Sequence, residues 1–360
     1  MRIITDPISD PAAAGPATSV ADAYARILRR RGLALLALLA LAAASLLLDV
    51  ATGASGLGAA DLLRALSAPD AMDPIARVIV WNIRLPSATM ALVVGAALGL
   101  AGAEMQTVLD NPLASPFTLG LSSAAALGAS LVIVLDLAIP GVPAGWTVAA
   151  SAFAFALLSA LLLHAVARWG GVGTPGVVLF GIALVFSFNA LVSLVQFLAR
   201  AEALQGLVFW TLGSLARADW TRIGVLALAL AAMLPLSLRD AWRLTALRLG
   251  EERAASFGVD VRRLHLRALA RISLLAGLAV AFAGVIGFIG LVAPHIARRL
   301  FGEDHRHYLP GSALVGALIL SLASVVSKLV MPGVVVPVGI VTALVGIPFF
   351  LAVVLRRQVH

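Results

Sequence analysis

The chain has 360 residues, 61% of them hydrophobic and 12% charged, with a mean hydropathy of +1.03; a soluble globular protein holds about 25% charged residues. A soluble protein and a single-span anchor are both excluded, because about 220 apolar residues, at roughly 20 per crossing, cap the chain at ten or eleven spans. Only one of the 26 basic residues is a lysine, Lys328, and it ends no GxxxxGK[ST] loop, so the usual nucleotide motor is absent; so is cysteine, and the six scattered histidines form no HExxH pair on which to build a metal enzyme.

In chain order, residues 1–28 read as a disordered cytoplasmic tail of small and polar residues, and 29–360 as one membrane domain. Arg29, Arg30 and Arg31 precede a first span from Gly32 to Leu48, ended by Asp49. An amphipathic connector over 49–80 carries Asp61, Arg64, Asp70, Asp73 and Arg77. The second span runs from Leu85 to Thr107 and contains Glu104 and Gln106. The polar turn Asp110-Asn111-Pro112 leads to a third near 117–138. A Pro140-Gly141-Val142-Pro143 break leads to a fourth near 146–167, closed by Arg168-Trp169-Gly170-Gly171. A fifth covers 176–199, and an exposed connector with Arg200, Glu202, Arg217, Asp219 and Trp220 precedes a sixth over 222–238.

Residues 239–271 are densely charged, from Arg239 and Asp240 to Arg267 and Arg271, and are expected to lie in water. The uncharged run 272–297 is interrupted by Gly284, Gly287, Gly290 and Pro294, which predicts two short spans with a tight turn near Gly287. A polar patch from Glu303 to His307 separates these from a ninth span at 309–328 and a tenth at 337–355, capped by Arg356 and Arg357. With the N-terminus inside, ten spans place 19 basic residues in the cytoplasm and 7 outside, the asymmetry that orients membrane proteins. The net charge of +8 is therefore a topology signal rather than a nucleic-acid footprint.

The polar residues admit two readings each. Gly95, Gly99 and Gly102, and likewise Gly277 and Gly284, suit close helix packing. Glu104 either reaches the inner interface from a helix end or serves a proton or sodium relay, with Asp110 six residues on. The stretch Leu249 to Val259 predicts a two-turn helix ended by Gly258, either a solvated loop or a piece shaped to dock. Arg84 and Lys328 at the outer ends of their spans either snorkel or meet carboxylates of a soluble partner.

Five stretches together resemble the permeases of bacterial type II ABC importers, the FecCD/BtuC-like family. They are RLPSATMALVVGAALGLAGAEMQTVLDNPLASPFTLG from Arg84, WTLGSL from Trp210, LGEERAASFGV from Leu249, GVIGFIGLVAPHIARRLFGEDHR from Gly284 with LPGSAL from Leu309, and PVGIVTALVGIPFF from Pro337. The resemblance spans about residues 30–357. It implies an all-α polytopic membrane protein of about ten transmembrane helices, paired with a second permease subunit, identical or related, around one central path. It also implies two cytoplasmic ABC ATPase subunits, which use ATP and Mg while this chain binds no cofactor, and a periplasmic substrate-binding protein. The site would be the bacterial inner membrane, with both termini cytoplasmic.

Carried onto this chain, the resemblance makes the 239–271 loop the coupling loop, with Leu249, Gly250, Glu251, Glu252, Ala254, Ala255, Phe257 and Gly258 fitting an ATPase groove. It gives Asn111, Pro112 and Leu113 to the cytoplasmic gate and Arg84 and Lys328 to binding-protein docking. Two departures stand out: Ser87 replaces the second arginine of the family's RLPR, and Ser324 replaces the aspartate that usually precedes the basic residue of the ninth helix by four positions. The polar residues Ser187, Asn189, Ser193 and Gln196 of the fifth span are candidates for the pathway lining; 189, 193 and 196 share a helical face. The expected function is ATP-driven import of an iron chelate, a ferric siderophore first, with haem or vitamin B12 as alternatives. The rival from another class is an ion-coupled secondary transporter built on Glu104 and Asp110. A membrane enzyme has no paired carboxylates or nucleophile–base pair to use.

Overall fold

The computed structural model describes residues 20–53, 64–65, 67, 73–169, 174–331 and 333–357. Among these the regular elements are helices: α1 (Val20–Ala51), α2 (Pro74–Val108), α3 (Leu121–Val134), α4 (Ala144–Trp169), α5 (Thr174–Phe197), α6 (Ala201–Thr211), α7 (Trp220–Arg239), α8 (Ala241–Leu247), α9 (Glu251–Ser256), α10 (Val261–Ala283), α11 (Ile289–Phe301), α12 (His305–Leu329) and α13 (Val338–Arg357). Local chemistry sets several of the starts: Asp73, Asp219, Asp260 and Asp304 each accept a backbone N–H from the first turn of the helix that follows. Inside α2 the stretch Ile79–Arg84 widens into a π-helix just before Pro86.

Seven helices, α1, α2, α4, α5, α7, α10 and α12, are long and apolar enough to cross a membrane. At 1.5 Å per residue, α3 and α11, with 14 and 13 residues, rise only about 20 Å, short of a hydrocarbon core of about 30 Å. Each is preceded by irregular backbone: a 3₁₀ turn at Pro116–Leu119 before α3, and residues 284–288 before α11. Non-helical backbone at membrane depth is tolerated where protein covers it, and here Ser214 donates to the Ala283 carbonyl at 2.7 Å while Leu212 and Val285 press against Gly339.

Two contacts fix the directions. Arg31, in the first half of α1, meets Asp304 at the N-cap of α12 at 3.1 Å, and the end of α1 meets the end of α12 through Asp49 and Lys328 at 2.6 Å. Helix α2 runs the other way, with Arg84 beside Val50 and Glu104 near the opposite end. Followed along the chain, α1, α2, α3, α4, α5, α7, α10, α11, α12 and α13 alternate, so the start of α1 and the end of α13 lie at the end bearing α8 and α9. We call this the lower end.

Helix α2 is apolar all round and buried along nearly its whole length beyond Ala88, as a helix enclosed by others must be. Its glycines permit that. A Cβ at Gly95 would overlap the Gly316 carbonyl oxygen, one at Gly99 that of Ser312, and one at Gly102 that of Gly290, so α2 crosses α12 and α11 with backbones in contact.

The sequence expectations need four corrections. Residues 20–28 are helical, since α1 starts at Val20; residues 1–19 of the expected tail lie outside the described residues, as do Asp61, Asp70, Gly170 and Gly171 of the expected connectors. The connector after the fifth span contains the helix α6. The charged stretch 239–271 is not all in water: its last third forms the start of α10, and Asp240 and Arg271 are buried because they pair with each other. Finally, the two segments of 272–297 are unequal. Helix α10 recruits residues 261–271 and spans 23 residues, and the break extends over 284–288.

Candidate functional site

At the lower end, α2, α10 and the junction of α7 with α8 converge on a buried ion cluster. Arg271 Nε donates to both Glu104 carboxylate oxygens, at 2.9 and 3.1 Å, and its Nη1 donates to Asp240 Oδ2 at 3.0 Å. Asp240 Oδ1 also accepts from Arg243 at 2.6 Å. Glu104 is 1% exposed, so it neither reaches the interface nor faces water; its charge is satisfied by the guanidinium fork. Sequence reasoning singled out Glu104 and missed Asp240 and Arg271. The available signal was an arginine and an aspartate flanking apolar segments at opposite ends of the 239–271 stretch.

Beside this cluster a second polar layer joins α8 to the ends of α2 and α12. His305 is fully buried, with Nε2 2.8 Å from Thr107 Oγ1 and Nδ1 3.1 Å from Thr245 Oγ1. Nearer the surface, Arg248 donates to Asp110 Oδ1 from Nη1 at 2.6 Å and to Glu303 Oε1 from Nη2 at 3.4 Å, and Arg298 forms an ion pair with Glu303 at 3.2 Å. Asp110 takes a left-handed backbone conformation, φ +42°, and opens the turn in which Asn111 Oδ1 accepts the Leu113 N–H at 2.9 Å. Asn111, Pro112 and Leu113 are half-buried there.

Helix α9 projects from this platform. Glycines with positive φ, Gly250 at +102° and Gly258 at +81°, flank it, and such angles suit a residue without a Cβ. Ala254 is buried and anchors the helix, whereas Glu251, Glu252, Ala255 and Gly258 are exposed. Leu249 and Phe257, with Trp242 on α8, are more than half exposed. These exposed apolar side chains, with Glu251, Glu252 and Arg253 exposed among them, form an uncovered surface at this end, the kind that marks contact sites. Among the eight residues expected there, Ala254 alone is fully buried.

At the upper end Arg84 and Lys328 line one cavity of about 270 Å³, together with Thr52, Ser87, Ser214 and Ser324. Both cations are engaged within the chain. Arg84 is 4% exposed and donates to the Val50 and Ala51 carbonyls at 3.0 and 3.3 Å. Lys328 donates to Asp49 Oδ1 at 2.6 Å and to its carbonyl at 3.0 Å, and Ser324 Oγ donates to the same carboxylate at 3.0 Å. The aspartate missing at Ser324 is thus supplied by α1, from a residue that sequence reasoning took only as the end of a span. Ser87 turns back on the Arg84 carbonyl at 3.0 Å. Nearby, the Arg222 guanidinium lies 5.3 Å from the Trp146 ring centroid and that of Arg217 5.9 Å from Trp210. Burial, with Arg222 adding to it, brings the Arg217 guanidinium down to about 10.

On α5, Ser187, Asn189 and Ser193 are exposed and Gln196 half-exposed, alongside Ile182, Phe186 and Phe197. Residues 189, 193 and 196 share that uncovered face, whereas Ser187 sits round the helix from them and bonds the Ala183 carbonyl at 2.9 Å.

The described residues form a multi-pass helical membrane protein with an exposed helix of charged and apolar residues at one end and a cavity with two basic side chains at the other. The chain belongs to the FecCD transport family, whose model matches residues 39–356. It is 39% identical over 318 residues to the hemin transport system permease protein HmuU of Yersinia pestis, covering 87% of this chain and 94% of that one. It is 35% identical over 293 residues to the vitamin B12 import system permease protein BtuC of Vibrio cholerae, covering 81% and 87%. Its fold is similar to that of a metal-chelate type ABC transporter solved in an inward-facing conformation, with a TM-score of 0.77 at 28% identity, over 90% of this chain and 99% of that one.

Proposed function

We propose that this chain is the permease subunit of an ATP-driven importer that moves an iron chelate from a periplasmic binding protein to the cytoplasm. The observation that carries the reading is the α9 platform: exposed Leu249 and Phe257 beside Glu251 and Glu252, anchored through Ala254 to the helices around Glu104 and Asp110. In this reading α9 and its flanking residues fit a groove on a cytoplasmic ATPase that binds ATP and Mg, while this chain binds neither. The chain lies in the inner membrane, with the lower end and both termini cytoplasmic. Two ATPase subunits close on ATP, push α9, and open the turn holding Asn111, Pro112 and Leu113. A second permease subunit, identical or related, completes a path to which α5 contributes Asn189, Ser193 and Gln196; these polar groups would be costly against lipid alone. The binding protein docks at the upper end, where Arg84 and Lys328 share a cavity, and Lys328 reaches a carboxylate only by exchanging Asp49.

Likeness to a hemin permease moves haem ahead of a ferric siderophore as the cargo, with vitamin B12 next. The ion-coupled alternative loses its main residue, since both oxygens of Glu104 are held by Arg271. The test is uptake of haem, a ferric siderophore and cobalamin into proteoliposomes, with binding protein added, with and without the ATPase. Uptake that needs ATP, and that Glu251→Arg with Glu252→Arg abolishes in a chain that still folds, is the expected result. Uptake that follows an ion gradient and ignores ATP overturns it.

A further inference from the structure

Resting on the importer reading above, we infer that Arg248 is the positioning residue that passes movement of the α8–α9 segment to the Asp110 turn. Its guanidinium is the point at which three separate pieces of the lower end meet. Nη1 bonds Asp110 at 2.6 Å at the end of α2, and Nε lies 3.3 Å from Glu303 in the turn between α11 and α12. Arg248 itself sits where α8 runs out towards α9. The backbone bonds Leu249 N–H to Ala246 O and Gly250 N–H to Leu247 O, both 3.0 Å, make Leu249 and Gly250 move with α8. A second route reaches α2 from the same residue, because Glu303 also takes Arg298, and Arg298 Nη2 lies 3.4 Å from Gln106 Oε1.

The energetics separate this link from mere stability. Asp110 is 80% exposed and Glu303 43%, and exposed ion pairs contribute little to folding. The buried Thr245–His305–Thr107 layer already holds α8 in place. What the Arg248 fork adds is direction: a planar bidentate group fixes two carboxylates relative to each other, which a lysine cannot do. It grips the side chain of Asp110, whose backbone leaves α2 at φ +42° and opens the turn of Asn111, Pro112 and Leu113.

The test uses the complete transporter in proteoliposomes, with haem, a ferric siderophore and cobalamin as cargoes, and reads uptake and ATP hydrolysis in the same vesicles. Arg248→Ala should still co-purify with the ATPase and melt within a few degrees of wild type, while uptake per ATP falls about tenfold, a typical coupling between distant sites. Arg248→Lys should show a similar loss, since it keeps charge without the fork. Asp110→Asn, which removes the charge and still suits the turn, should show a similar loss, and Asp110→Asn with Arg248→Ala should lose no more than either change alone. A merely structural role predicts that uptake and hydrolysis fall together and that the losses of the two single changes add; either outcome overturns the inference. If wild type takes up all three cargoes without regard to ATP, the importer reading falls and this inference with it. If wild type is ATP-driven and Arg248→Ala stays fully coupled, the inference alone falls.

Discussion

At the residue scale, the buried carboxylates of Asp49, Glu104 and Asp240 are each answered by a cation. Glu104 and Arg271, from two helices, and Asp240, between α7 and α8, meet at 2.9 to 3.1 Å, and Asp49 meets Lys328 and Ser324 in the same way at the other end. Such pairs are costly to assemble but more costly to break, because the remaining charge has nowhere to go. Glu104→Gln and Arg271→Met are each expected to cost about 3–5 kcal/mol, read as a lower thermal midpoint in detergent. The double change Glu104→Gln with Arg271→Met should cost less than the two singles added together. Additive effects would mean that the two side chains do not interact. These partners were invisible in the sequence because they lie 167 and 31 positions apart, and no local spacing announces a contact between helices that only packing brings together.

At the element scale, close crossing of α2 with α11 and α12 is the feature that orders the rest. The small residues Gly95, Gly99 and Gly102 could be read from the sequence as a packing face; which helices they touch could not. Gly102→Ala places a Cβ on the Gly290 carbonyl, and with backbone on both sides neither helix gives way cheaply. Loss of monodisperse protein in detergent is the expected outcome. Gly32→Ala, where nothing lies within 4 Å, should fold as well as wild type or better, since alanine favours a helix over glycine by roughly 0.5–1 kcal/mol. Equal behaviour of the two variants would show that the crossing is looser than described. The short elements were legible in part: glycine and proline interruptions marked the break before α11, and Gly258 the end of α9. The extra turns at the start of α10 were not, because Arg262, Arg263 and Arg267 look like loop residues until one face of the helix is seen to be apolar. Leu264, Ala268 and Arg271 bury that face.

At the scale of the whole molecule, alternation of ten helices puts α9 and both described chain ends on one side and the Arg84 cavity on the other. The natural absence of cysteine makes this easy to check. Single cysteines at Phe257 and Asp22 should react with an impermeant maleimide from one face of oriented vesicles, and one at Arg77 from the other. Labelling of Phe257 and Arg77 from the same face would overturn the topology. Composition, the 26 basic residues and their uneven spread already determined that the chain is a multi-pass helical membrane protein with about ten crossings, because the cost of exposing backbone or charge to hydrocarbon is paid residue by residue along the chain. The long stretches around Arg84, Leu249 and Gly284 already carried the family. Only the tertiary structure decided that Lys328 is matched by Asp49, that Glu104 is locked by Arg271, and that Arg248 lies between the protruding helix and the Asp110 turn. Those are contacts between distant segments, set by how helices pack rather than by what each one is made of.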